Sequence, residues 1–219
     1  MAGVYSSDAK TSFKDLYDHL VTFPVPLLPP GRSYDGKLTD KIASLYLHPT
    51  LEALLHILNH DLPSAHFLCR KMQSAPAYEG MYCHGLLHRI EGDYDNARAW
   101  YFDVQDNDCF TSVWGQATSE EREEAEKIKD QYRVGKVPAQ RKARQFLDSV
   151  EKLKKTKSGD RQQLEKESRR EIEELVQWCV KKFGTAKLED ATKAWVGNSD
   201  EIREKGQSMT TGDTGHRRF

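Results

Sequence analysis

The chain has 219 residues, of which 31% are charged and 37% hydrophobic, with a net charge of −1 and a mean hydropathy of −0.76. That balance supplies no global field for nucleic acid or an anionic membrane, and the core must be modest for the length. No stretch approaches the roughly 20 apolar residues needed to cross a bilayer, and no basic start followed by an apolar run opens the sequence.

Cys69, Cys83, Cys109 and Cys179 are spread along the chain without a Cys-x-x-Cys pair. They read as reduced thiols, so the expected compartment is the cytoplasm or the nucleus. Residues 1–10 are small and polar. Ser12 caps a short helix through about Val21, with Phe13, Leu16, Tyr17 and Leu20 on one face. In Phe23-Pro24-Val25-Pro26-Leu27-Leu28-Pro29-Pro30-Gly31 the prolines remove amide donors and force their predecessors into extended backbone. Residues 1–36 therefore form an N-terminal helix and a Pro-rich strap, whose apolar residues lie against the body.

A core at 37–115 is helical almost throughout and repeats itself. Leu54/Leu86, Leu55/Leu87, His56/His88, Asp61/Asp93 and Ala65/Ala97 are identical at one constant offset of 32 residues. A period in the low thirties marks stacked helix-turn-helix units, here at about 49–73 and 76–104. The second copy resembles the tetratricopeptide pattern: Gly85 sits at the close approach of the helices, Gly92-Asp93-Tyr94 makes the turn, Ala97 admits the crossing helix and Tyr101 fills the space beyond. In the first copy Ala53 takes the small position, and His60-Asp61-Leu62-Pro63 makes the turn. The resemblance covers residues 45–104. The block from His84 to Tyr101 also looks like one found in a family of mainly fungal proteins with bacterial relatives. That family has no assigned activity, so the likeness implies a domain type and imports no chemistry.

Gln105 to Gly115 reads as a loop that folds back on the helices through Cys109, Phe110, Val113 and Trp114. Residues 116–197 read as helices that pack on or extend the core. The first is capped by Thr118-Ser119-Glu120-Glu121 and runs to Val134; the next two span about 138–155 and 160–183. Thr185 is expected to cap a short last helix holding Leu188, Ala191 and Trp195. Residues 198–219, polar and rich in Gly and Thr, read as a disordered tail. The basic stretches 141–144 and 152–157 lie among Glu-rich segments and read as solvated helix faces.

Six of the eight histidines fall between His48 and His88. His84, His88 and Glu91 are spaced i, i+4 and i+7 on one helix face, and His56 and His60 repeat the first spacing one unit earlier. If the first helices of the two units lie side by side, His56 and His88 converge. The primary reading of these histidines is packing, each ring hydrogen-bonding a carbonyl or a neighbouring carboxylate. The alternative is a divalent metal such as zinc, iron or manganese, held by His56, His60, His84, His88 and Glu91.

No phosphate loop, nucleophile elbow or thiol–histidine signature is present, and no catalytic residue is assigned. The sequence thus predicts an all-α protein: two tetratricopeptide-like hairpins flanked by an N-terminal helix and C-terminal helices. The expected function is protein–protein interaction, with Arg89, Arg98 and Trp100 facing a partner or ligand. No cofactor, nucleic acid or membrane is expected, and the oligomeric state is left open.

Overall fold

A computed structural model of the chain describes residues 12–115, 119, 120 and 138–197, and every regular element among them is helical. Helix α1 (Phe13–Leu20) begins at Ser12, whose hydroxyl and backbone form a reciprocal capping box with Asp15. It buries Leu16 and Leu20. The strap that follows buries Phe23 and Leu27. Proline takes away donors and leaves carbonyls, and carbonyls are what hold the strap down. Pro24 O lies 2.7 Å from His60 Nε2. Pro26 O accepts from Ser168 Oγ at 3.2 Å, and the Arg169 guanidinium donates to Val21 O at 2.9 Å and Phe23 O at 2.7 Å.

Helix α2 (Leu38–Ala43) leads into four helices: α3 (Pro49–Leu58), α4 (Leu62–Cys69), α5 (Tyr78–Glu91) and α6 (Tyr94–Val104). Pro49 opens α3, where its missing amide hydrogen is harmless. Asp61 and Asp93 cap α4 and α6 through the amides of Ser64 and Asn96, and Gly92 ends α5 with φ +83°. Helix α3 packs on α4, α5 packs on α6, and both α3 and α4 contact α5. Helices α5 and α6 come close at Gly85, where an added Cβ would stand 2.8 Å from Trp100 Cβ and 2.8 Å from Tyr101 Cδ1.

Two segments differ from the expectation. Residues 105–115 are not an open loop: α7 (Asp108–Trp114) forms there, capped by the Asn107 side chain. Its buried Cys109, Phe110, Val113 and Trp114 lie at i, i+1, i+4 and i+5, the face of a short helix. Near the end of the described chain, Asp190, and not Thr185, caps a single 3-10 turn, Ala191–Ala194. The helix expected from Thr118 to Val134, apart from residues 119 and 120, and the tail at 198–219 lie outside the described residues.

Helices α8 (Pro138–Thr156) and α9 (Arg161–Phe183) close over the four-helix core. Helix α8 buries Ala143, Phe146, Leu147, Val150 and Leu153; α9 buries Ile172, Leu175, Val176 and Cys179. Among the described residues no helix is long and apolar enough to cross a membrane. These additions make α5 the central helix, buried without a break from Glu79 to Ile90. It nevertheless carries five polar or charged side chains that need partners there. Glu79 accepts from Trp178 Nε1 at 2.9 Å and Lys182 Nζ at 2.7 Å. Tyr82 and Arg89 both reach the buried Glu171, at 3.1 and 2.9 Å. His84 and His88 turn the other way, toward α4 and α6.

Candidate metal centre

The site is assembled by the cap that starts α4 and the turn that ends α5. Asp61, fixed by Thr39 Oγ1 at 2.8 Å and Ser64 Oγ at 2.8 Å, sets the start of α4 and hence the register of His66, which comes five residues later. On α5, His84 and His88 are one turn apart with rings stacked at 4.7 Å between centroids and 24° between planes. The His66 ring stands perpendicular to both, 4.9 Å from His84 and 5.2 Å from His88. One ligating nitrogen from each of the three rings lies within 4.8 Å of the other two. The Trp100 indole covers His84 from α6 at 4.6 Å, a position that depends on the close approach at Gly85.

The neighbours settle where the protons sit. Asn96 Nδ2, an amide donor, lies 3.2 Å from His88 Nε2, so that nitrogen offers a lone pair and Nδ1 carries the hydrogen. His88 Nδ1 stands 3.3 Å from Glu91 Oε2, within ion-pair distance but off-line for a hydrogen bond. His66 Nδ1 lies 3.2 Å from Glu91 Oε1. A carboxylate only accepts, so His66 too carries a hydrogen on Nδ1, and in the neutral ring Nε2 is the acceptor. The bare His66 Nε2 faces His84 Nε2 at 3.1 Å, which makes His84 the donor of that pair. His84 Nδ1 is buried with no hydrogen-bond partner.

Charge follows the same geometry. Burial first, then the neighbouring His88, His66 and Arg70, hold the His84 pKa down to about 3, although Glu91 pulls the other way. His84 is therefore neutral at any physiological pH. For Glu91 burial is the largest influence and raises its pKa. The neighbouring imidazoles of His88 and His66 together outweigh it, so the carboxyl stays below its ordinary range. One carboxylate behind two imidazoles, whose Nε2 atoms accept from His84 and Asn96 on the far side, resembles the arrangement that orients metal-ligating histidines.

The structure redistributes the residues singled out in the sequence. His84 and His88 meet, as their spacing requires, but Glu91 lies on the Nδ1 side of His66 and His88, away from the facing Nε2 atoms. His56 is not in the cluster: its Nδ1 lies 3.3 Å from Asp61 and its Nε2 3.8 Å from Glu52. His88 makes the corresponding, looser approach to Asp93 at 3.7 Å. His60 is turned away onto the strap. Arg89 cannot face a partner: it is fully buried, paired with Glu171, bonded to Ser168 Oγ at 3.0 Å and laid on the Phe146 ring. Arg98 is held by Asp95, Asp148 and Glu151, and Trp100 is half-buried against His84.

His66 is the member that sequence reasoning missed. Periodicity relates residues within one helix, whereas His66 belongs to α4 and reaches the pair only because α4 packs on α5. The one available signal was its place among the six clustered histidines. No family model, curated protein or solved structure matches this chain.

Proposed function

We propose that this protein binds one divalent transition-metal ion, zinc in preference to iron or manganese, through His66, His84 and His88. The observation that carries the reading is the pair of facing Nε2 atoms at 3.1 Å; on binding, the hydrogen between them leaves His84 Nε2 and the imidazole takes its other tautomer, protonated on Nδ1. Zinc bound tetrahedrally at 2.0–2.1 Å needs its nitrogens about 3.3 Å apart, so this edge is close to ligand spacing before any ion enters. Three neutral imidazoles without a carboxylate in the ligand set favour zinc over the harder ions. Glu91 keeps two of the rings in the ligating tautomer, and Trp100 restricts water on the His84 side.

Calorimetric titration of zinc into chelator-stripped protein tests this reading. One equivalent should bind in the wild type, and the heat should disappear in a His66→Ala variant that retains a wild-type helical spectrum. Absence of zinc binding in the wild type would refute the proposal, as would unchanged binding in His66→Ala.

A further inference from the structure

A cavity of about 320 Å³ lies where the starts of α3 and α5 meet the end of α9 and the 3-10 turn. It shares no residue with the histidine cluster. Its outer wall is residues 193–196, part of a stretch held down before and after it. Leu188 N donates to Tyr46 O at 2.7 Å, and Val196 N donates to Lys71 O at 2.8 Å. Ser74 Oγ donates to Gly197 O at 3.0 Å. Trp195 is thereby fixed at the rim, with 44% of its surface exposed and Lys71 Nζ over its ring at 5.6 Å. Phe183 also lines the cavity, its ring stacked on His48 at 3.6 Å between centroids.

Charge is unevenly placed around these apolar walls. Four ionisable side chains line the cavity: His48, Glu79, Lys182 and Lys193. Glu79 is buried, so it stands at the floor, where Trp178 Nε1 and Lys182 Nζ already bond its carboxylate. Burial is the chief cause that holds the His48 pKa down to about 4, so the ring is uncharged at neutral pH. Lys193 is left over. It is exposed, hence at the mouth, and among the described residues no carboxylate forms an ion pair with it. Asp190, close to it in the chain, accepts from the amide and hydroxyl of Thr192. The cavity therefore carries one net positive charge, at its opening.

We propose that this cavity binds a small planar aromatic carboxylate, its ring against Trp195 and Phe183 and its acid group on Lys193 at the mouth. The volume sets the size. It stands at the low end of the roughly 300–1,000 Å³ of small-molecule pockets, so one or two fused rings fill it. Aromatic walls pair with an aromatic ring beyond simple burial of area, and an ammonium holds a carboxylate by charge-assisted hydrogen bonds. The orientation follows from Glu79, whose charge at the floor repels an acid group and turns it outward. A cationic ligand of the same shape meets Lys193 instead, and is rejected. The proposal does not depend on the metal reading.

The test is calorimetric titration of 2-naphthoate into the full chain, with a chelator present so that no metal mediates the contact. The wild type should bind one equivalent saturably. The corresponding naphthylmethylammonium cation, with the same rings and the opposite charge, should give no saturable heat, and neither should acetate, which has no ring. Lys193→Glu should weaken naphthoate binding about tenfold or more, as expected for loss of a charged hydrogen-bond partner. Trp195→Ala should weaken it by up to about tenfold through the lost aromatic pair. Both side chains are exposed, so both variants should keep the wild-type helical spectrum. Absence of saturable naphthoate binding overturns the proposal, as does equal binding of the cation by the wild type. Unchanged affinity in either folded variant overturns it as well.

Discussion

At the residue level the proposed centre turns on Glu91, because that one carboxylate stands beside both His66 and His88. Glu91→Gln keeps the shape and loses the charge, so zinc affinity should drop by about 10–100-fold with little change in melting temperature; calorimetry and thermal melts on the same sample check both halves. Arg89 is the opposite case, a charge whose loss should be felt as stability. Arg89→Met leaves Glu171 buried with only Tyr82 and Tyr101 hydrogen-bonding it, and removing one partner of a buried pair costs about 3–5 kcal/mol. Urea denaturation should show that loss while zinc binding by the folded fraction persists. Neither role could be read from the sequence. Periodicity places Glu91 on the His84 and His88 face, but which side of the imidazoles it grips depends on His66 from another helix. Arg89 at the end of a helix looks like a surface residue until α8 and α9 cover it.

At the level of elements, much more was legible, because caps and turns are local chemistry. Ser12, Asp61, Asp93 and Gly92 all occupy the positions their residue types favour. The failures came where a segment was short. The helix at 108–114 is hidden within the loop-like stretch 105–115, because seven residues give too few turns for a period to declare itself. Gly85 tests the α5–α6 contact directly. Gly85→Val puts a branched Cβ where Trp100 and Tyr101 already stand at 2.8 Å, and overpacking of this kind costs about 1–3 kcal/mol. Because the same contact holds Trp100 over His84, zinc affinity should fall in this variant as well, which distinguishes it from Arg89→Met. Gly92→Val should also destabilise: it combines φ +83° with the Lys154 amine packed where the Cβ would go.

For the whole molecule, pH reports on His48, half-buried, and His84, buried. Burial is the chief reason that His48 is held to about 4 and His84 to about 3, against about 6.5 in an unfolded chain. Their folded pKa values are depressed, so below 6.5 the unfolded chain binds more protons than the folded one. Stability is then full above about pH 6.5 and is lost as pH falls toward the folded values. Metal-free protein should therefore melt lower at pH 5.5 than at pH 7, in a window above most carboxylate titrations. His48→Asn, which keeps a side chain able to cap α3, should reduce the dependence; a flat profile in the wild type would contradict the depressed pKa values of both rings. The ligand shell itself gives the most direct test of the metal centre. X-ray absorption at the zinc edge, on protein loaded with one equivalent, should show nitrogen or oxygen neighbours at about 2.0 Å with outer-shell scattering from three imidazoles. A sulfur shell at about 2.3 Å, or fewer than three imidazoles, would contradict the account.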